Sequence, residues 1–370
     1  MATLSAESQD APSFAVPPDP PKISVIVPAR DEEASLGACL QSLVGQAGVP
    51  FEIIVVDDGS TDRTPALARS FPGVRVIDAG VLPAGWSGKN NAMSVGARES
   101  RARWLLFTDA DTVHLPGSLA RTFLEAQQRG AALLSYSPAQ QVHGVWEKAV
   151  MAVIFAELAT TYRPAEVNDP ATRVAAANGQ YLLISREAYD AVGGHAAVRA
   201  SLLEDVALAR AVKASGRRIF FRYGPDAVRT RMYRSFSQLR EGWTKNLVLL
   251  FRSPVRLAVL RLLEFGLLVG SGGAAVLGTL HGRSHTAAFA TMVFLGLGAI
   301  FVARIRKAHF SSGATVLALV GLPLFSYLLL RSARSQEKGQ VKWKGRNYAF
   351  GPAPVPSHTT VVDHGRTKAT

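Results

Sequence analysis

The sequence predicts an α/β domain of Rossmann-like type on a mostly parallel central sheet, followed by an amphipathic interfacial helix and C-terminal transmembrane helices. Three observations carry this. Short runs rich in Val, Ile and Leu alternate with amphipathic stretches from Ile23 to about Phe221, the rhythm of strand–helix units. A basic amphipathic segment follows at 232–252. Three apolar stretches, each close to the ~20 residues a helix needs to cross a bilayer core, come next.

The strands are read at "ISVIVP" (23–28), "EIIVVDD" (52–58), "VRVID" (74–78) and "WLLFTD" (104–109). Apolar runs without alternation suit strands buried on both faces, as in parallel sheets. Helices are read between them at 31–46, 62–71, 87–99 and 116–129. "STDRTPALARS" opens on a capping cluster, and "LPGSLARTFLEAQQRG" has Pro in its first turn and Gly at its end. In "MYRSFSQLREGWTKNLVLLFR", Tyr233, Phe236, Leu239, Trp243, Leu247 and Leu250 recur at helical spacing among Arg234, Arg240, Lys245 and Arg252. Such a helix can lie on an anionic membrane surface or pack on the α/β domain.

The three apolar stretches lie near Leu262–Leu280, Thr286–Ala303 and Ala314–Leu330, with a GxxxG spacing at Gly266 and Gly270 that permits close helix contact in lipid. Basic residues crowd "RIRKAH" (304–309) and the segment beyond Arg331, whereas "HGRSH" (281–285) is weakly charged. The positive-inside rule wants both basic segments in the cytoplasm, and a full third crossing separates them. Either the stretch containing Pro323 re-enters on the same side or the tail is exported. The resulting organisation is a disordered leader at 1–21, a catalytic domain at 22–230, an interfacial segment at 231–256, a transmembrane region at 257–331 and a basic tail at 332–370.

The totals agree. At 370 residues the chain holds a catalytic core plus more, and 48% hydrophobic residues is high for a purely soluble protein. A formal net charge of +13 calls for an anionic partner: nucleic acid, a nucleotide or an anionic membrane. Much of the basic excess surrounds the apolar C-terminal stretches and no nucleic-acid motif occurs, so membrane lipid explains it and nucleic acid does not. Cys39 is the sole cysteine, which excludes an intrachain disulfide and reads as a small core residue. The start of the chain has neither a basic n-region nor an apolar h-region.

Chemistry concentrates where strands end, the side on which such sheets bind ligands. "VVDDGSTD" carries Asp57 and Asp58, "FTDADT" carries Asp109 and Asp111, and "LLEDVALA" carries Glu204 and Asp205. Two carboxylates one residue apart repel, so a buried strand ending on them suits a cation between them. Oxygen ligands of this kind suit Mg²⁺ or Mn²⁺ carrying a diphosphate. Lys89 follows a Gly-rich turn and opens a helix, where an ammonium and a helix N-terminus can meet a diphosphate together. The strand-one turn reads "VPARDEE" and lacks the GxGxxG of nicotinamide enzymes.

In order, "VIVPARDEE", "VVDDGSTDRT", "GWSGKNNA", "FTDADT", "ANGQYLLISREAYDAVGGH" and "LLEDVALARAVKASGRRI" resemble the motif series of family 2 glycosyltransferases of GT-A fold, over about residues 22–250. The "GWSGKNNA" loop, the apolar segments and "VKWKGRNYAF" are most similar to membrane-bound bacterial enzymes that glycosylate lipids, including carotenoid and hopanoid-associated ones. The resemblance implies an inverting, metal-dependent transfer from a nucleotide sugar, UDP-linked, to a hydroxyl or carboxyl of a lipid acceptor. The enzyme is then multi-pass in the cell membrane with its catalytic domain in the cytoplasm.

By the same resemblance Pro28, Arg30, Glu32, Asp58, Lys89 and Asp109 bind the nucleotide sugar, Asp58 through the base. Asp111 is the main metal ligand with Asp109 beside it. Asp205 is the catalytic base and Glu204 its neighbour. Asn178, Gly179, Trp243 and Arg240 are placed on the acceptor side. Two departures stand out. Ser94 occupies a position where the family often has Asn and receives no role. "QLREGWTKN" keeps Gln238 and Trp243 but lacks the QxxRW spacing and its arginine, which argues against a processive polysaccharide synthase. His195 reads as a turn residue. A catalytically silent membrane scaffold that kept the fold is the competing class, and retention of all four aspartates weighs against it.

Overall fold

The computed structural model describes residues 20–343 and 346–349, so the leader up to residue 19 and the tail beyond Ala349 lie outside the described residues. The chain opens with β1 (Ile23–Ala29), α1 (Leu36–Val44), β2 (Phe51–Asp57), α2 (Thr64–Arg69), β3 (Val74–Asp78), α3 (Gly88–Glu99) and β4 (Trp104–Phe107). These are the strands and helices read from the sequence, with α1 starting later because residues 30–35 form a loop. Next come β5 (Thr112–His114), α4 (Ser118–Arg129), β6 (Leu133–Ser137), β7 (Ala139–Gln140), α5 (Val145–Thr161) and α6 (Pro164–Asn168). The domain ends with β8 (Leu182–Ser185), α7 (Arg186–Ala191), α8 (Gly194–Ala197), α9 (Glu204–Ala214), β9 (Ile219–Tyr223) and β10 (Val228–Thr230).

Seven strands form the central sheet in the order β3-β2-β1-β4-β8-β6-β9. All pairs are parallel except the two that β8 makes, with β4 and β6. This is a GT-A-like Rossmann fold. β1 is an interior strand between β2 and β4, and nearly every residue in "ISVIVPA" is buried there. One face packs Ile26, Val56 and Phe107 against α3 and α9; the other packs Val25, Val27 and Val55 against α1 and α4. Cys39 is in that second core, as expected of a small apolar residue. Register then sets the ligand end: Ala29 lies opposite Asp57, and Ile26 opposite Phe107. The exits of β1, β2 and β4 therefore reach the surface side by side.

The remainder is helical, with α10 (Phe236–Leu250), α11 (Pro254–Leu280), α12 (Ser284–Ile305) and α13 (Ser312–Glu337), then a hairpin of β11 (Gln340–Trp343) and β12 (Arg346–Ala349). Among the described residues α11, α12 (extended to Ala308) and α13 are the three helices long and apolar enough to cross a membrane. α10 turns Leu239, Trp243 and Leu247 inward, into one cluster with α5 and α13. Its outer side shows Arg234, Phe236 and Gln238. No periodic signal marks α5 in advance, because its buried residues follow one another from Ala149 to Ile154. Among the described residues, a Cβ at Gly266 or Gly270 would meet nothing within 4 Å.

Candidate active site

The loops after β1 and β2 are stitched together by short polar side chains. Asp31 N–H donates to Ser60 Oγ, Glu32 N–H to Thr64 Oγ1 (2.8 Å) and Thr61 N–H to Asp31 Oδ1 (2.8 Å). Asp31 takes a left-handed conformation with φ 52° to do so. Such side-chain bonds replace the backbone partners a loop lacks. The clamp positions Asp58, which is buried, donates its N–H to Ala29 O (2.9 Å), and faces Arg30 Nη1 at 3.9 Å. Pro28 sits on β1 next to these loops, and the Glu32 carboxylate accepts from Ser35 Oγ (2.5 Å).

One strand over, Lys89 lies in the first turn of α3, capped by Ser87, whose Oγ accepts from Asn90 N–H. The Lys89 ammonium stands 2.8 Å from Asp109 Oδ1 and 2.8 Å from Glu204 Oε1. Asp205 adjoins Glu204 at the start of α9, and both its oxygens accept backbone N–H groups at 2.8 Å, Oδ2 from Gly179 and Oδ1 from Val206. A Cβ on Gly179 would lie 3.1 Å from Lys89 Nζ, 3.4 Å from Glu204 Oε1 and 3.5 Å from Asp205 Oδ2. Only glycine leaves this junction open. Candidates from four distant stretches thus converge on Gly179.

Electrostatics separates the two acids. Burial pushes Asp205 up to about 6, helped by the Glu204 charge. For Glu204, burial works in the same direction, but the Lys89 and Lys245 charges outweigh it and hold the carboxyl below its usual range. At Lys89 burial is outweighed by the Asp109 and Glu204 carboxylates, which hold its ammonium well above its ordinary value. Lys245 is lowered by burial even though all four groups of the cluster act on it. Adjacent carboxylates with pKa values driven apart are the arrangement acid–base chemistry uses.

Asp111 lies between Cys39 and Tyr233. Burial first, and the Asp111 charge second, raise both the thiol and the phenol. Its carbonyl accepts from Thr230 Oγ1. Among the described residues no three His, Cys, Asp or Glu side chains gather closely enough to hold a metal by themselves. Asp109 and Asp111 offer hard carboxylate oxygens, the ligand type that Mg²⁺ takes together with water and phosphate oxygens. Of the residues expected on the acceptor side, Asn178 accepts from Gln180 N–H and Arg240 is half-buried on α10. Trp243 is 2% exposed, donates to the Met151 sulfur and packs edge-on against Phe155, so the fold uses it to join α10 to α5. His195 is buried too, its Nδ1 2.9 Å from the Tyr189 hydroxyl.

Asn90 was not singled out by sequence reasoning. Its amide donates to the carbonyls of Val198, Arg199 and Ser201 (2.9–3.0 Å) and so ties the Lys89 helix to the loop that delivers Glu204. The only local signal is an amide in the first turn of a helix, which has many ordinary explanations.

Residues 24–193 match the glycosyl transferase family 2 model. The chain is 29% identical over 341 residues to a protein named 4,4'-diaponeurosporenoate glycosyltransferase from Staphylococcus aureus (strain MRSA252), covering 89% of this chain and 88% of the relative. Among solved structures, it is similar to the mannosyltransferase PcManGT from Pyrobaculum calidifontis in complex with GDP-Man and Mn²⁺ (17% identity, 88% and 90% covered, TM-score 0.48). It is also similar to S. aureus TarS 1-349 in complex with UDP-GlcNAc (14% identity, 89% and 99% covered, TM-score 0.43). Residues 24–193 are a glycosyl transferase family 2 domain of GT-A-like fold, and the chain is a glycosyltransferase.

Proposed function

We propose that the protein transfers a sugar from a nucleotide sugar, UDP-linked, to a hydroxyl or carboxyl of a lipid acceptor at the membrane face that carries the catalytic domain, which is cytoplasmic. The observation that carries this reading is the meeting of Lys89, Asp109, Glu204 and Asp205 around Gly179. The stitched loops around Asp58 and Arg30 receive the base and nucleoside, and Lys89 with the N-terminus of α3 holds the diphosphate. A divalent ion on Asp109 and Asp111 would neutralise charge on the departing diphosphate. Glu204 keeps Lys89 charged and aimed. Asp205, fixed by two N–H groups, takes the proton from the acceptor hydroxyl. The acceptor oxygen bonds to the anomeric carbon as the bond to the diphosphate oxygen breaks, and the leaving nucleotide keeps the electron pair. A single displacement inverts that carbon. Support for a lipid acceptor comes from the three apolar helices and from the S. aureus relative, named for a carotenoid carboxylate.

Transfer assays on the full chain in lipid, with radiolabelled UDP-sugars, test this. Asp205→Asn lowers transfer to a hydroxyl lipid by about 10²–10⁴-fold. A carboxylate acceptor arrives ionised, so its loss is smaller. Chelation stops transfer, and Mg²⁺ or Mn²⁺ restores it. Because the base acts deprotonated, activity on a hydroxyl lipid falls as pH drops through about 6. Transfer to the hydroxyl lipid that survives Asp205→Asn unchanged overturns the assigned base, and unchanged turnover after chelation overturns the metal.

A further inference from the structure

We infer that the groove between α11 and α13 is a binding site for an anionic phospholipid of the leaflet on which the catalytic domain sits. This rests on the membrane-bound reading above and adds a site to it. The helical hairpin supplies the frame. Glu157 on α5 pairs with Arg261 of α11 (2.9 Å) and with Arg304 of α12, while Glu264 of α11 also meets Arg304 (2.6 Å). This pins the first turns of α11 and the last turn of α12 to the catalytic domain. The rest of the hairpin projects away from it, with Val276, Phe289 and Leu295 each at least 60% exposed. At 27 residues, α11 is roughly 40 Å long, enough to cross a bilayer.

α13 behaves differently. Just before it, Phe310 packs on Phe155 of α5; at its middle, Gly321 lies against Ala149 of α5; near its end, Ser332 Oγ accepts from Val248 N–H and donates to Thr244 O of α10. With α13 held to α5 at its start and middle and to α10 near its end, this reading lays it along the domain's membrane face instead of across the bilayer. The basic 304–309 segment and the basic end of α13 then stay on one side, as the charge rule requires.

The groove, about 490 Å³, opens where α13 passes the start of α11, at the level where Ser326 Oγ donates to Ala258 O. Leu262, Tyr327 and Leu330 form an apolar wall, and Arg331, Arg334 and Lys338 stand at its end. All three cations are exposed, and among the described residues none of them forms an ion pair. Apolar wall plus unpaired cations at headgroup depth is the complement of an acyl chain with a phosphate head. A soluble anion would use the cations and leave the wall bare. The occupant is not the sugar acceptor, because α10 stands between the groove and the cluster that Lys245 faces.

The test uses the full chain reconstituted in phosphatidylcholine nanodiscs with a minor share of phosphatidylglycerol. Lipids retained after mild detergent extraction are counted by native mass spectrometry. Wild type should keep one phosphatidylglycerol. Arg331→Gln, Arg334→Gln and Lys338→Gln combined should weaken that retention on the order of a hundredfold. Leu330→Asp, which leaves the cations in place, should weaken it too. Equal retention of the two lipids, or displacement of phosphatidylglycerol by inorganic phosphate, overturns the groove site while the membrane reading stands. A chain that does not co-fractionate with lipid at all overturns the membrane reading first.

Discussion

α12 and α13 are both apolar enough to cross a membrane, yet only 11% of the most apolar window of α12 is buried within the protein, against 50% for α13. In α12 the glycines face open space, Gly296 and Gly298 having nothing within 4 Å of a would-be Cβ. In α13, a Cβ on Gly321 would run into the Ala149 carbonyl of α5. The same composition thus serves two solvents. One helix keeps its side chains for lipid, the other spends half of them on the catalytic domain. Hydropathy measures how much a helix gains by leaving water and is blind to what replaces the water.

The largest effect expected from this contrast is at the joint. Glu157→Gln leaves Arg261 and Arg304 short of a buried counter-charge, and loss of one partner of a buried ion pair costs about 3–5 kcal/mol. Thermal unfolding in detergent should show it, and an unchanged transition would mean that the hairpin is not held through this network. Next comes the glycine pair. Gly321→Leu should cost about 3 kcal/mol by overpacking the α13–α5 contact, whereas Gly298→Leu in α12 should stay within about 0.5 kcal/mol. Equal effects would erase the distinction between the helices. A smaller loss than that of Gly321→Leu is expected from Ser332→Ala, which removes two hydrogen bonds to α10 at about 1–2 kcal/mol. It should loosen the end of α13 without touching α12, visible as faster amide exchange around Val248.

The active site was more legible than the helical joint, for a physical reason. Asp58, Lys89, Asp109 and Asp205 each lie within two residues of a strand end or a helix start, and polar groups at the ends of apolar runs stand out in a linear sequence. Gly179 was visible only as part of a motif; its value, a vacancy bounded by Lys89, Glu204 and Asp205, depends on chain segments far apart. Trp243 was placed on the acceptor side by its partial likeness to the family's QxxRW motif, and the fold buries it beside Met151. Lys89 supplies a positive charge for Asp109 that the aspartate spacing alone had suggested a metal would bring.

Local sequence settles where the first four strands lie, which helices are apolar enough to enter lipid, and which side of the sheet gathers the carboxylates, since these follow from local periodicity and from parallel strands ending together. It takes tertiary contacts to bring Glu204 to Lys89 with Asp205 beside it, to make α5 the floor on which α10 and α13 rest, and to lay the third apolar helix on protein for half its surface. Each of those depends on contacts between residues tens to hundreds of positions apart, where packing and charge compensation between neighbours in space leave no periodic trace along the chain.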